Sequence, residues 1–496
     1  MDQIKMNQLE PRSRIAVIGL AGATLSALDT LARDGVLPFV AQWQTTAVRA
    51  PLQSVAPLTS VAAWITMVTG RTAAEHGIFD LYRKQSPEGH QLRALTSRDL
   101  PCETVWSLLN REGRKTTVLD LPLTVPPPRI EGHVLPGSWA TPRQLKLGCH
   151  PSDLSKRLVE QAGVQLDALA MSEPGDDPVA WVETQIEREA QLFRALRFLR
   201  DSEPADLVLI LARAFGLVYA LYAANREARP KCVAYFRALD DNLRELAGTD
   251  TTLFLISEPG AGRSSHTFAV NAWLAEHGYL AWVDGPAARP SEYKAVDTDQ
   301  LNRQAKLIDW ERTQAYAPLA GTAAIHIAAA DADYKVVRDR LAEELLAAPE
   351  VHRVWKREDL YEGPHIDIAP DLVIETKPGV AISPFSSAPD AARFDTVPDG
   401  SGGALLANGP QLRHGISLPA LSILDVAPLL CYCLGLPIPA DLKGAVPVEA
   451  IDPGVLAASP VQVGPGGSGR APEERVLDPQ AETVILKRLQ DLGYLE

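Results

Sequence analysis

Short apolar runs that read as buried strands alternate along this chain with longer runs that read as helices, and that alternation narrows the fold more than any other feature. Arg14 to Gly19 is apolar after its first residue, Leu20 to Thr24 reads as the turn behind it, and Ser26 to Asp34 reads as a helix. A second helix around Thr104 to Arg111 ends at Gly113, and Thr116 to Leu121 is the next strand. Asp177 and Pro178 open a long helix to about Arg200, with Asp as N-cap and Pro in the first turn. Its apolar positions Val182, Ile186, Phe193, Leu196 and Leu199 share one face, and Glu and Arg fill the other. Strand Leu207 to Leu211, helix Lys231 to Ala247 and strand Thr252 to Ser257 continue the series. Strands apolar on both faces belong to parallel sheets covered by helices. The expected fold is therefore α/β, a doubly wound and mostly parallel sheet. Such a sheet carries its chemistry at the carboxyl ends of its strands.

The chain has 496 residues, room for one large α/β domain with insertions or for two or three ordinary ones. From Arg263 to about Pro370 the pattern loosens into shorter helices and turns, and Asp371 to Thr376 and Ala404 to Asn408 again read as buried strands. The division expected is an α/β core over residues 12–262 and 371–455 with an inserted cap over 263–370. Residues 456–496 read as a Gly- and Pro-rich linker and a final amphipathic helix, Pro479 to Leu492.

A net charge of −14 without a Lys/Arg-rich run gives no electrostatic support for nucleic acid as a partner. Five scattered cysteines with no C-x-x-C pair point to a reducing compartment. Met1 to Arg14 is polar and carries no apolar h-region, so a cytoplasmic protein is expected. Leu207 to Ala224 is apolar over 18 residues except Arg213, barely enough to span a bilayer. Its Leu- and β-branched-rich start reads instead as a buried strand running into a buried helix, and no membrane partner is expected.

One stretch stands out for chemistry. Pro57-Leu58-Thr59-Ser60 is a loop ending in two hydroxyls, Val61 to Thr69 a short apolar helix, and Gly70 a glycine stop. A hydroxyl at a helix start, beside unpaired backbone N–H groups, can attack a bound phosphoryl group. It can equally do no more than cap the helix. With Val17-Ile18-Gly19-Leu20 upstream and His76-Gly77-Ile78-Phe79-Asp80 downstream, the stretch resembles the nucleophile region of the alkaline-phosphatase superfamily. The nearest branch is that of the type I phosphodiesterases and nucleotide pyrophosphatases. Further strings are similar to that branch, in order: Thr104-Val105-Trp106, Leu121 to Pro127, Asn271 to Leu280, Ala369 to Val373, Ser422 to Pro428 and Leu489 to Glu496. The resemblance implies a Thr or Ser nucleophile. Counting back from Trp64 and Gly70 selects Ser60; counting forward from Pro57 and Leu58 selects Thr59.

The resemblance also implies two divalent cations such as zinc, held by Asp and His at several strand ends and able to hold the attacking and leaving oxygens together. At the first such position, after Gly19-Leu20, stands Ala21. An ungapped count for the next pair lands on Gly216 and Ala220, and no Asp or His occurs from Leu207 to Leu239. The family's Ser-Asp-His-Gly appears as Ser257-Glu258-Pro259-Gly260, and its last His falls near Asp399. No bound metal cofactor is therefore expected. A catalytic metal lowers the pKa of bound water from about 15.7 to about 7, worth roughly 12 kcal/mol. A helix N-terminus contributes at most about 2 kcal/mol and cannot replace it. The resemblance gives His76 a structural or substrate-side role, and Glu258, His76 and Asp399 remain as candidate ligand-binding residues. Ser60 is not followed by x-Pro-x-Arg, so sulfate-ester hydrolysis is not indicated.

Three functions follow as expectations. The chain is a metal-independent member that binds a small molecule or protein in the former cleft. Alternatively, it carries out acyl-type group transfer through Ser60 or Thr59, with Glu258 or His76 as base. As a third reading, it is a conventional metal-dependent phosphodiesterase or nucleotide pyrophosphatase.

Overall fold

The computed structural model describes residues 14–56, 59–86, 89–137, 142–170, 172, 177–247, 251–258, 266–283, 298–318, 324–329, 332–383 and 402–466. The strands, in chain order, are β1 (Arg14–Leu20), β2 (Val48–Gln53), β3 (Tyr82–Lys84), β4 (Leu92–Ala94), β5 (Thr116–Leu119) and β6 (Gly132–Leu135). There follow β7 (Leu207–Ala212), β8 (Thr251–Ile256), β9 (His266–Ala269), β10 (Ala315–Tyr316), β11 (Ala324–Ile327) and β12 (Val351–Lys356). The last are β13 (Leu372–Thr376), β14 (Val380–Ser383), β15 (Gly403–Asn408), β16 (Leu421–Ser422), β17 (Ile438–Pro439) and β18 (Val463–Gly464).

The main sheet has the order β16-β2-β15-β8-β1-β7-β5-β6. At its centre Ile15 of β1 lies opposite Leu207 and Thr252, parallel to both neighbours. Only β15 is antiparallel to the strands beside it, β2 and β8. Its start, Gly403, therefore lies at the edge where β1, β7 and β8 end. A Cβ on Gly403 would stand 2.1 Å from the Ser257 carbonyl oxygen, so glycine alone lets β15 enter there. This is the mostly parallel α/β sheet expected from the sequence.

Alternation along the strands divides the core. Ala16, Ile18 and Leu20 face the helices Leu25–Arg33, Pro178–Ser202 and Arg229–Ala247. Ile15 and Val17 face the opposite layer, with Trp64 and Met67 of the helix Ser60–Thr69 and Leu429 and Leu430 of Val426–Cys433. Burying each such Leu or Ile side chain contributes roughly 1.5–3 kcal/mol. The segment Leu207 to Ala224 is the expected strand followed by a helix, Phe215–Ala224. No helix among the described residues is long and apolar enough to cross a membrane.

The inserted region differs from expectation at its far boundary. The run Asp371 to Thr376, read as a return to the core, supplies β13 of a second sheet, ordered β10-β11-β13-β12. There Leu372 pairs antiparallel with Ile325, and β9 and β14 form a further parallel pair. The insertion thus extends past residue 370 to Ser383, and the core resumes with β15. Three apolar residues in a row state that a strand is buried but not in which sheet. The stretch read as a linker from residue 456 is also partly structured. The helix Pro453–Ala458 is capped by Asp452, and Val463 pairs with Ile438. The helix expected at Pro479 to Leu492 lies outside the described residues.

Candidate functional site

The helix Ser60–Thr69 separates the two hydroxyls. Thr59 is its N-cap: Oγ1 accepts from the Ala62 N–H at 3.3 Å and donates to the Phe79 carbonyl at 3.0 Å. Ser60 is the first helical residue, and its Oγ donates to Glu258 Oε1 at 2.7 Å. Thr59 is thus spent on local structure, whereas Ser60 reaches across 198 residues of chain to a carboxylate. The position is fixed from behind. Val61 to Thr69 are all buried, and the Trp64 ring lies where a Cβ on Gly19 would come within 2.5 Å of it. Gly70 ends the helix in the left-handed region at φ 64°.

Glu258 follows β8 and is only 7% exposed. Burial pushes its carboxyl up to about 7, while the Ser60 hydrogen bond and the positive charge of Arg213 pull the other way. Its Oε2 is buried with no hydrogen-bond partner, as is the Trp64 indole Nε1. The indole N–H still lies close enough to favour the charged carboxylate. A carboxylate with a near-neutral pKa, hydrogen-bonded to a serine hydroxyl, has the proton affinity and reach of a general base.

Other strand ends at this edge carry different chemistry. β1 leads to Ala21, and β7 ends at Ala212 followed by Arg213. Gly216 and Ala220, reached by ungapped counting, instead lie within the helix Phe215–Ala224, so Ala212 and Arg213 hold the strand-end positions. After β5, Asp120 adopts φ 62° and pairs with Arg188, which is 1% exposed. The neighbouring Glu189 accepts from the Tyr235 hydroxyl at 2.5 Å, and burial pushes its carboxyl up to about 7. These side chains come from what the sequence shows as the polar face of the helix Pro178–Ser202. The sequence singles out none of them; the one available signal is the position of Asp120 directly behind a strand.

His76 is fully buried and does not join the site. Its Nδ1 accepts from the Ile78 N–H at 3.1 Å, which leaves Nε2 to donate to Thr66 Oγ1 at 3.1 Å. Burial, followed by the influence of His365, lowers its pKa to about 3, so it is a neutral clasp for the turn. Asp399 lies outside the described residues.

Among the described residues, the side chains at this edge do not supply the donors that a pair of divalent cations needs. Among the described residues no group of three or more His, Cys, Asp or Glu could hold a metal ion. Of the carboxylates described at this edge, Glu258 is engaged by Ser60 and Asp120 by Arg188.

Solved structures share this architecture. Human ectonucleotide pyrophosphatase / phosphodiesterase 5 is 14% identical with a TM-score of 0.57, covering 88% of this chain and 100% of that one. Its murine counterpart is 15% identical with a TM-score of 0.55 over the same shares. Phosphonoacetate hydrolase from Sinorhizobium meliloti, solved with phosphonoformate, is 15% identical with a TM-score of 0.54, covering 86% and 96%. At such identities the likeness establishes the fold. Among curated protein sequences nothing matches significantly. The family described as type I phosphodiesterase / nucleotide pyrophosphatase matches residues 15–388, about three quarters of the chain, from β1 through the whole second sheet. The chain is a member of that family.

Proposed function

We propose that this family member works without the two-metal centre and uses the cleft at the sheet edge to bind a small molecule or a protein segment. One observation carries the reading: the carboxylate at the nucleophile helix, Glu258, is buried and already hydrogen-bonded to Ser60. Positions 21 and 212 at the same edge are alanines. A divalent cation there would gain one carboxylate that is already engaged by Ser60.

The Ser60–Glu258 hydrogen bond favours a second reading, metal-independent acyl transfer. As the Ser60 Oγ–carbon bond forms, the hydroxyl proton passes to Glu258, and the leaving group takes that proton as its bond to the acyl carbon breaks. Water then releases the acyl group by the reverse transfers.

The deciding experiment measures metal per chain by plasma mass spectrometry after incubation with zinc and manganese and desalting. Turnover of bis(4-nitrophenyl) phosphate and labelling by a fluorophosphonate are followed on the same sample. Near-zero metal and no turnover or adduct is the result expected from the binding reading. An adduct on Ser60 that Ser60→Ala removes selects acyl transfer. Close to two metals per chain, with turnover that follows them, selects conventional phosphodiester hydrolysis and overturns both.

A further inference from the structure

A cavity of about 530 Å3 lies between the second sheet and the turn that follows the helix Ser60–Thr69. That volume is typical of sites that enclose a drug-sized ligand. It is lined by Phe79 and Asp80, by the β3–β4 hairpin, and by Trp310, Tyr316 and His326. Neither Ser60 nor Glu258 lines it.

The charges in this cavity are not balanced. Arg83 and Arg93 both pair with Asp99, at 2.9 and 2.5 Å. Arg357 pairs with Asp371, whose carboxylate also accepts from the Ile327 N–H at 2.7 Å and the Tyr334 hydroxyl at 2.5 Å. Lys84, half-buried on β3, has no such partner among the described residues; its ammonium lies over the Tyr316 ring, 5.5 Å from the centroid. Burial lowers its pKa, and the attraction it feels comes from the already saturated Asp371. Holding a cation away from water without a counter-ion is costly, and a bound anion would offset that cost. Asp80 in the lining does not supply one in full: burial pushes its carboxyl up to about 7, so near neutrality much of it is uncharged. Asp367 stands at the exposed rim.

The aromatic part of the lining suits a flat ring. Trp310 lies face to face with His90 at 3.7 Å and 3°, and edge-on to Tyr316 at 5.0 Å and 90°. Tyr316 in turn stacks against His326 at 5.7 Å. His90 Nδ1 is buried there without a hydrogen-bond partner. Aromatic walls of this kind hold planar ligands by offset or edge contact.

We infer that this cavity binds a small aromatic organic anion, a carboxylate or sulfonate, with the acid group against Lys84 and the ring against Trp310 and Tyr316. The inference is independent of the reading given to Ser60, because the two places share no lining side chain.

The test uses the full-length protein and two fluorescent probes with the same rings: 8-anilinonaphthalene-1-sulfonate and uncharged N-phenyl-1-naphthylamine. The wild type is expected to bind one sulfonate per chain, saturably and more tightly than the uncharged probe. Lys84→Met is expected to weaken the sulfonate by about tenfold or more, as loss of a charge-assisted contact does, and to leave the uncharged probe unchanged. Lys84→Arg retains the charge and is expected to recover most of the affinity. Trp310→Ala is expected to weaken both probes, and Ser60→Ala neither. Should Lys84→Met not fold, 1-naphthoate and 1-naphthalenemethanol as competitors on the wild type give the same answer: only the carboxylate displaces the sulfonate. No saturable binding, several sulfonates per chain, equal competition by acid and alcohol, or sulfonate affinity unchanged in Lys84→Met would each overturn the inference.

Discussion

At the level of single residues, the hydrogen bond from Ser60 to Glu258 ties a helix start to the end of β8. A glutamate free in an unfolded chain titrates near 4.5, and burial holds Glu258 up to about 7 in the fold. Between those values the unfolded chain has released a proton that the folded one keeps. Stability is therefore lost as pH rises through that window, and the loss is complete above about 7. The full shift corresponds to about 3 kcal/mol. Glu258→Gln keeps an oxygen to accept from Ser60 but cannot ionise. Urea unfolding is expected to find variant and wild type close at pH 5, and the variant more stable at pH 8 by up to about 3 kcal/mol. The same difference at both pH values would mean that Glu258 does not carry a shifted titration. Thr59 belongs to a different class of hydroxyl. Thr59→Ala removes an N-cap and is expected to cost about 1 kcal/mol at any pH, read by the same denaturant midpoints.

At the scale of elements, much was legible because local rules and tertiary packing agree. The helix from Ser60 begins after a hydroxyl cap and stops at a left-handed glycine, as its sequence requires. The long helix behind Asp177 and Pro178 and the strands β1, β7 and β8 are equally plain, since each is a contiguous apolar or periodic run. The division of work between Thr59 and Ser60 was not legible, because it depends on Phe79 and Glu258 meeting them in space. Nor was the place of β13, whose partners in β11 and β12 lie far enough away that pairing leaves no local trace. The largest omission was Arg188 with Asp120. An arginine beside glutamates on a helix reads as a solvated face, yet this one is 1% exposed under the sheet. Arg188→Met would remove the buried cation that pairs with Asp120 and is expected to cost about 3–5 kcal/mol. Adding Asp120→Asn, which tolerates the left-handed backbone there, is expected to recover most of that loss. A double-mutant cycle in urea measures both, and simple additivity would show that the pair does not act as a unit.

At the scale of the whole molecule, the insertion meets the core along a seam, and the cavity with Lys84 is lined from both sides of it. The His365 N–H donates to the Ala74 carbonyl at 2.9 Å, Phe79 meets Tyr361 edge-on at 5.1 Å, and Asn302 exchanges hydrogen bonds of 2.7 and 2.9 Å with the backbone of Leu92. Gly363 is what lets the chain approach so closely: its φ is 156°, and a Cβ there would stand 2.6 Å from the Ala74 carbonyl oxygen. A side chain at this point must push one body off the other. Gly35 is a useful contrast, with φ 70° but open space where its Cβ would be. Gly363→Ala and Gly35→Ala are each expected to lose about 1–3 kcal/mol from backbone strain. Only the first is expected also to weaken binding of 8-anilinonaphthalene-1-sulfonate, because its clash falls on the seam that sets the spacing of the cavity walls. Unfolding midpoints and probe affinity measured side by side separate the two effects. Equal destabilisation with unchanged affinity in Gly363→Ala would mean that the cavity keeps its shape independently of the seam, and that the aromatic wall and the β3–β4 hairpin are held together by the Asn302 contact instead.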